Sequence, residues 1–347
     1  MVTTRSVHHL RSIGERVRAP LRAELPSPHL ELEWRRLGTV DAGHLAALVK
    51  EADEAEGAVL EAPASVLIDL VERDDDGPFD TLGGFDRAGV LRAYAGVLLW
   101  PAGDVPTVVF YGAVDPAWNG RGLGRALLAW QEGRARQLLS GVPGSGPARL
   151  SAFVEEAAAE RRRLYVAGGF SPKTTFVRMR RDLNAPIPAP EFPADLEILP
   201  ALSLPEAAVR EAHVAAAHHT WGVGPLTPDL WHRVWERYRP EWSFAVVDPS
   251  EGAQVVVGYA LCMPHTETMA PTVRTEGSIS RLGVVPDHRA RGIGRALACH
   301  VLRAFADSGV RFATILAEPD VEHSGFALWD DLGFASTTRA MVYGLNL

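Results

Sequence analysis

The same glycine-containing heptapeptide occurs twice in this chain, as RGLGRAL at 121–127 and as RGIGRAL at 291–297. Each copy follows a strand-like run that ends in Val, one further residue and Pro. Apolar residues after each copy recur at helical spacing, which places the two glycines at the first turn of a helix. The repeat indicates an internal duplication, so the chain must adopt a fold that can be built twice.

The length of the chain fits two domains. Its 347 residues exceed the size of about 250 to 300 residues at which single cores stop growing. A Pro-rich stretch, NAPIPAPEFPADLEILP at 184–200, predicts a semi-rigid linker. We therefore expect an N-terminal basic extension at 1–28, a first domain at 29–183, a linker at 184–193 and a second domain at 194–347.

The N-terminal extension leaves several structures open. Its first 22 residues carry five Arg and one Glu, with apolar residues near helical spacing. A transit peptide, a basic amphipathic arm, a poorly ordered segment and a short helix docked on the body all fit this pattern.

Both halves show the same order of secondary-structure signals. Consecutive strands come first and helices follow, without the regular alternation of a doubly wound sheet. This order predicts the α+β (mixed α/β) class, with a mostly antiparallel mixed sheet flanked by helices in each domain.

Composition and net charge limit the kinds of partner that the chain can bind. A net charge of −8 and a pI near 5.9 disfavour nucleic-acid binding, and the apolar runs are too short to span a membrane. Cys262 and Cys299 are the only cysteines, which indicates inert core thiols and a reducing, cytoplasmic setting. The histidines lack zinc-ligand spacing, so no metal is expected. We expect a monomer or homodimer.

The repeated loop is suited to bind a phosphate. Helix N-termini present unpaired N–H groups and partial positive charge, and glycines allow an anion to approach them. Two familiar phosphate loops do not fit. Leu127 and Leu297 stand where the dinucleotide fingerprint needs its third glycine, and the chain lacks the GK[ST] of the P-loop.

The stretch VVPDHRARGIGRAL at 284–297 resembles motif A of the GNAT superfamily of acyl-CoA-dependent N-acyltransferases, V-x-P-x-x-[Q/R]-x-x-G-x-[G/A]. The first copy, VDPAWNGRGLGRAL at 114–127, departs from the motif at Asn119, where Gln or Arg is expected. The resemblance implies that acetyl-CoA, as co-substrate, is bound by Val114, Asn119, Gly120, Arg121, Gly122, Leu123 and Gly124 in the first half and by Val284, Arg289, Ala290, Arg291, Gly292, Ile293 and Gly294 in the second.

A second signature of this superfamily, L-Y-x-x-x-G-F, also occurs twice. It reads LYVAGGF at 164–170 and LWDDLGF at 328–334, so Trp329 replaces the tyrosine in the second half. Two signatures in each half resemble the tandem members of the superfamily. The resemblance covers roughly 107–181 and 278–344 and implies two GNAT domains.

Candidate catalytic residues are few. Tyr165 matches the frequent acid position of the superfamily; the alternative is a packed aromatic on a short helix. The usual place of a glutamate base holds Val108 in one half and Ser278 in the other. Glu276 lies two residues before Ser278 and is a candidate substitute; the alternative is a solvated carboxylate at a strand entrance.

The resemblance implies an N-acetyltransferase in which a primary amine of a small molecule or peptide attacks acetyl-CoA directly. The missing glutamates and Trp329 support an alternative, a CoA-binding scaffold or sensor with degenerate catalysis. Trp231 and Trp235, spaced i and i+4, lie either in the core or an interdomain interface, or at a wall of the acceptor site.

Overall fold

The computed structural model describes residues 11–56, 79–100, 105–216, 227–250, 255–265, 276–319 and 325–347. The chain divides into two compact units. Unit 1 comprises Met1–Lys173 and Val342–Leu347, and unit 2 comprises Thr174–Met341. The division of contacts therefore falls at Lys173 and again at Met341, whereas the sequence predicts limits at 183 and 194.

Unit 1 holds a mixed sheet and four helices among its described residues. In chain order the elements are α1 (Ile13–Val17), β1 (Glu33–Arg35), α2 (Ala42–Glu56), β2 (Phe79–Phe85), β3 (Leu91–Trp100), β4 (Thr107–Val114), α3 (Leu123–Ser140), β5 (Arg149–Glu155) and α4 (Ala159–Ala167). Strands β1 to β4 pair antiparallel with their neighbours, and β4 pairs parallel with β5. The N–H of Leu347 donates to the carbonyl of Ala148 at 2.9 Å, so the segment 342–347 completes this unit.

Unit 2 repeats the same order. Its elements are β6 (Ser171–Asp182, of which Thr174–Asp182 belongs to the unit), β7 (Glu197–Pro200), α5 (Glu206–Ala216), α6 (Pro228–Trp235), β8 (Phe244–Val247), β9 (Val256–His265), β10 (Glu276–Val284), α7 (Ile293–Asp307), β11 (Phe312–Ala317), α8 (Phe326–Asp331) and β12 (Ala335–Asn346, up to Met341). Strands β7 to β10 are antiparallel, β10 and β11 are parallel, and β11 pairs antiparallel with β6. The predicted fold class is thereby confirmed.

The Pro-rich segment at 184–193 packs on unit 2. Arg181 donates to the carbonyl of Pro186 at 2.6 Å, and Arg303 of α7 donates to the carbonyl of Pro188 at 2.7 Å. Phe192 lies against the apolar core of the unit. The stretch predicted to be a linker is therefore held within unit 2 by hydrogen bonds from Arg181 and Arg303 and by the apolar contacts of Phe192.

The N-terminal segment forms the short docked helix that was one of the open alternatives. Ile13 and Val17 are 2% and 0% exposed, and Arg136 of α3 donates to the carbonyl of Val17 at 2.7 Å. The first ten residues of the predicted extension lie outside the described residues. No helix within the described ranges is long and apolar enough to cross a membrane.

Both cysteines lie in the apolar core of unit 2. Helix α7 packs against β8, β9 and β10 with Leu297, Val301 and Phe305 fully buried. Cys262 and Cys299 belong to the same core, and burial raises the pKa of both thiols. The prediction that they are buried core residues is confirmed.

Candidate functional site

In unit 2 the glycine loop follows strand β10. Val284 is the last residue of the strand, and a 3-10 turn over Pro286–His288 comes next. Ala290 and Gly292 have φ of 59° and 79°, and helix α7 begins at Ile293. These two left-handed residues, one on each side of Arg291, reverse the chain and set the first turn of the helix beside the end of the strand.

In unit 1 the first glycine loop has the same backbone course. Val114 ends β4, a 3-10 turn covers Pro116–Trp118, and Gly120 and Gly122 have φ of 77° and 89° before α3 begins at Leu123. Unit 2 places an alanine where unit 1 has Gly120. A left-handed alanine costs about 1 to 2 kcal/mol, so unit 2 maintains this loop against strain.

Both loops end at a free helix N-terminus. The first bond of each helix runs from Ala126 N–H to Gly122 O at 3.2 Å and from Ala296 N–H to Gly292 O at 3.0 Å. The amides before these donors have no acceptor within the helix, and they carry its positive dipole end. Such a terminus can hold a phosphate or pyrophosphate.

Arg289 braces the second loop. Its Nε donates to Val284 O at 3.1 Å, and its terminal nitrogen donates to Ala216 O at 3.3 Å. The side chain thus links the loop to the end of β10 and to α5. The counterpart in unit 1 is the shorter, exposed Asn119, whose backbone N–H donates to Pro116 O at 3.3 Å.

Each loop also has a guanidinium group. Arg121 lies over the ring of Trp118, 4.2 Å from its centroid, and Arg291 forms an ion pair with Asp195. Both add positive charge beside the helix N-termini. All fourteen residues predicted to bind acetyl-CoA lie in these two loops or next to them, seven in each unit, and their binding role stays a prediction.

The strands before the loops differ. β4 has eight residues, Thr107–Val114, and pairs with β3 in an unbroken register. β10 has nine, Glu276–Val284, and its register with β9 shifts between Ile279 and Arg281. Ser280 is therefore the extra residue of a β-bulge, which leaves a backbone group free of the ladder. An N–H at such a position suits the oxyanion of acyl transfer.

A gap opens beside each of these strands. The parallel pairing of β4 with β5 covers 107–110 and 149–152, and that of β10 with β11 covers 276–279 and 312–315. In both units the pairing ends before the half of the strand that leads to the glycine loop. A long ligand held at the loop can therefore extend along that half of the strand.

Tyr165 lines a cavity of about 70 Å³ at the gap of unit 1. The side chain is 7% exposed, stacks on Tyr343 with centroids 6.2 Å apart, and meets Phe170 edge-on at 5.2 Å. Burial raises the pKa of Tyr165 to about 12, which makes it a weaker acid. The side chain is a packed aromatic, and its role as proton donor stays a prediction.

Glu276 is held in an ion-pair cluster. It is 5% exposed, pairs with Arg180, and has a second guanidinium, that of Arg178, at 3.9 Å. It opens β10, four residues before the bulge and so about 13 Å along the strand. The alternative of a solvated carboxylate is wrong, because the group is buried. The contacts give Glu276 a structural role, and a catalytic one stays a prediction.

Trp329, the residue that replaces the tyrosine of the second signature, is a core residue of unit 2. It is 3% exposed and meets Phe334 edge-on, with centroids 5.3 Å apart. Its position on α8 matches that of Tyr165 on α4.

Two polar residues at the bulge could not be found from motifs. The Nε of Arg281 donates to the hydroxyl of Tyr238 at 3.0 Å, and that hydroxyl also bonds the side chain of Ser280. Tyr238 is 3% exposed, and burial raises its pKa. The two residues are 43 positions apart in the chain, so only the sheet brings them together.

A histidine and a tyrosine lie farther along the same face of unit 2. His213 Nδ1 and Tyr259 Oη are 2.9 Å apart, and the imidazole stacks on Trp231 at 4.9 Å. Burial lowers the pKa of His213 to about 3, and Arg281 acts in the same direction, so the ring is neutral. Trp231 is 1% exposed and stacks on Trp235 at 6.0 Å, which favours the core alternative for this pair.

Comparison with known proteins agrees with this geometry. Residues 207–334, which lie within unit 2, match the model of the acetyltransferase (GNAT) family. A mycothiol acetyltransferase of Tsukamurella paurometabola is 26% identical over 72% of this chain and 82% of its own length. A mycothiol acetyltransferase of Thermobispora bispora is 28% identical over 66% of this chain and 73% of its own.

Solved structures share the fold. A GCN5-related N-acetyltransferase from Sphaerobacter thermophilus superposes with a TM-score of 0.69 at 24% identity, over 93% of this chain and 97% of that one. A tandem GNAT protein from the clavulanic acid biosynthesis pathway gives a TM-score of 0.62 at 19% identity, over 91% and 98%. Residues 207–334 therefore match the GNAT acetyltransferase family, the glycine loops agree with that match, and the chain is an acyltransferase.

Proposed function

We propose that this protein transfers the acetyl group of acetyl-CoA to a primary amine of a small molecule or peptide, and that unit 2 performs the transfer. The bulge at Ser280 carries the assignment. It supplies a backbone donor on the strand that leads to the glycine loop, and β4 of unit 1 has an unbroken register there.

Unit 2 also favours the neutral form of the amine, which is the form that attacks acetyl-CoA. An amine with a pKa near 10.4 must lose a proton before it attacks, at a cost of about 4.6 kcal/mol at pH 7. The guanidinium of Arg281, whose Nε lies 3.0 Å from Tyr238 Oη beside the bulge, disfavours a second positive charge nearby. It therefore lowers the pKa of an amine that approaches this face.

The leaving thiolate then needs a proton. Trp329 has only an indole N–H, which is not an acid of useful strength. The hydroxyl of Tyr238 bonds the side chain of the bulge residue. Burial raises the pKa of Tyr238, as it does for Tyr165, but the bonds to Arg281 and Ser280 oppose that rise. We assign the proton donation in unit 2 to Tyr238, in place of the tyrosine that Trp329 replaces.

For the acceptor, the proposal names only the reactive group, which is a primary amine. The two curated relatives are named for acetylation of mycothiol, and they cover about two thirds of this chain or more at 26% and 28% identity. The amine panel for the test therefore begins with the acceptor of those enzymes and extends to amino acids, polyamines, aminoglycosides and peptide N-termini.

The test combines two measurements on the full chain. CoA thiol release is followed with the amine panel, and acetyl-CoA stoichiometry is measured by native mass spectrometry. Both are repeated with Gly294→Val and with its counterpart Gly124→Val. A Cβ at Gly294 would lie 3.8 Å from its nearest neighbour, which is ordinary contact. A Cβ at Gly124 would lie 3.2 Å from Leu164 Cδ2, so that side chain must shift by a few tenths of an ångström, and the fold of both variants is checked by circular dichroism.

Loss of CoA release with Gly294→Val and its retention with Gly124→Val would support transfer in unit 2. The reverse pattern would move the transfer to unit 1. Acetyl-CoA binding without CoA release from any amine would instead support the alternative, a CoA-binding scaffold.

A further inference from the structure

The stretch 191–195, at the end of the Pro-rich segment, runs beside the glycine loop of unit 2. A Cβ built at Gly292 would lie 4.0 Å from the carbonyl oxygen of Glu191, so the main chain of this stretch passes close to the loop. Asp195 then forms an ion pair with Arg291, the residue between the two left-handed positions of the loop. A carboxylate is therefore bonded to a loop that is suited to bind a phosphate.

A second carboxylate lies at the same end of the loop. β7 and β8 pair with Glu197 opposite Val247, which brings Asp195 and Asp248 to one end of these two strands. Asp248 Oδ2 lies 3.3 Å from Nε2 of His288, in the 3-10 turn that precedes the loop helix. Asp195 and Asp248 together make this side of the loop acidic, whereas the loop itself carries the guanidinium groups.

The pair of Asp195 and Arg291 contributes little to the stability of the fold. The two side chains are 63% and 34% exposed, and ion pairs at such positions are weak. The hydrogen bond from Arg291 lowers the pKa of Asp195, so the carboxylate is charged at neutral pH. An exposed charge that stabilises the fold only slightly can still act strongly on an anion that approaches the loop.

The loop of unit 1 has a different arrangement. Trp118 ends the 3-10 turn where unit 2 has His288, and Arg121 lies over its ring, 4.2 Å from the centroid. No carboxylate pairs with Arg121 in the part of the chain that the structure describes. A phosphate therefore meets an unpaired guanidinium in unit 1 and a paired one, that of Arg291, in unit 2.

We propose that Asp195 is an internal competitor of acetyl-CoA at the loop of unit 2. The carboxylate bonds Arg291 while the loop is empty, and a phosphate of acetyl-CoA displaces it. When CoA leaves, Asp195 bonds Arg291 again. Asp195 therefore weakens the binding of acetyl-CoA and of the product CoA alike, and it speeds the release of the product. The inference rests on the proposed function, because acetyl-CoA must bind at this loop.

The experiment is calorimetric titration of the full chain with CoA in about 50 mM NaCl, where surface charges are weakly screened. Asp195→Asn should bind CoA about threefold to tenfold more tightly at one site, and the gain should shrink in about 500 mM NaCl. Gly294→Val should abolish the gain, which assigns it to the loop of unit 2. Glu197→Gln is the control, since it removes the same charge from an exposed position nearby on β7 and should leave the affinity unchanged.

Stopped-flow displacement of bound CoA measures the rate of release. Asp195→Asn should slow release by about the same factor as it raises affinity, because affinity changes within one site are mostly changes in the dissociation rate. Asp195→Glu keeps the charge and should restore fast release.

Three results would overturn the proposal. Weaker CoA binding by Asp195→Asn would show that the carboxylate holds Arg291 in place for the phosphate. Unchanged affinity, or a gain that persists with Gly294→Val, would show that the ion pair does not act on this site. An equal gain with Glu197→Gln would assign the effect to net charge. A chain that binds CoA at this loop and transfers no acetyl group would contradict only the proposed function, so the two proposals fail separately.

Discussion

Units 1 and 2 have glycine loops with the same backbone course, yet they differ in the strand before the loop and in the residues around the gap. β4 is regular, and the gap beside it is lined by carboxylates, an arginine and tyrosines. β10 carries a bulge whose serine bonds Tyr238. The loop is therefore the shared part of the duplication, and the strand before it differs by the one bulge residue on which our assignment of the transfer to unit 2 depends.

The inserted residue has no counterpart in the neighbouring strand. Ile279 faces Cys262 and Arg281 faces Leu261, so Ser280 is passed over by the ladder. A one-residue change in a strand normally turns every later side chain to the other face, and a bulge absorbs the change locally. Arg281 consequently faces Tyr238 in unit 2.

Removal of the bulge should have the largest effect. Deletion of Ser280 removes the extra residue of β10 and with it the backbone donor that the bulge provides. We expect CoA release to fall about 100-fold or more, the usual cost of an oxyanion donor. Ser280→Ala keeps the bulge and is the control; it should retain most of the activity. A deletion variant that stays folded by circular dichroism and keeps full activity would contradict the assignment.

Removal of the brace at Arg289 should have a smaller effect. Arg289→Ala loses the bonds to Val284 O and Ala216 O and leaves the left-handed Ala290 without support. We expect the KM for acetyl-CoA to rise about tenfold with little change in kcat, since two charge-assisted bonds hold the loop that binds substrate. The matched change in unit 1, Asn119→Ala, should alter KM less than twofold. Equal changes in KM for Arg289→Ala and Asn119→Ala would show that the bonds of Arg289 do not make the two loops different.

Much of this fold could be predicted from the sequence, because the duplicated signals are local. The loop turn, the helix after it and the order of strands follow from glycines, prolines and apolar spacing. The exchange of strand segments could not be predicted. Residues 177–182 pair with β11 in unit 2, and 342–347 belong to unit 1. No local pattern says which sheet a strand joins, so the chain order alone places the limits at the Pro-rich segment.

The site was only partly predictable for the same reason. Motifs identify loop residues such as Gly292, because the conformation of the loop depends on residues that are neighbours in the chain. Tyr238 contacts Ser280 and Arg281, which lie about 40 residues away in the chain and come close to it only in the sheet. Glu276 was chosen for its chemistry and spacing, and its burial against Arg180 is likewise a tertiary property.

The charge difference between the units predicts a pH effect on stability. The pKa of Asp53 is about 6 in the fold and near 3.9 when unfolded. Its carboxylate therefore destabilises the fold, a cost that is absent below about pH 4, grows between about pH 4 and pH 6, and is constant at higher pH. Asp53→Asn should raise the free energy of unfolding by about 1 kcal/mol at pH 8, after a discount for partial exposure, and leave it unchanged at pH 4. Urea unfolding at both pH values measures this, and an equal gain at pH 4 would assign the effect to packing.

The smallest expected effect is also the most decisive for the tyrosines. Tyr165→Phe should change kcat less than twofold if unit 2 performs the transfer, because the hydroxyl lies in unit 1 and its pKa is raised to about 12. Tyr238→Phe is the comparison and should lower kcat about tenfold or more, with a loss of the alkaline limb of the pH profile. Steady-state kinetics with the best amine of the panel separate the two variants. A tenfold loss with Tyr165→Phe and none with Tyr238→Phe would return the proton donation to unit 1, where the sequence signature places it.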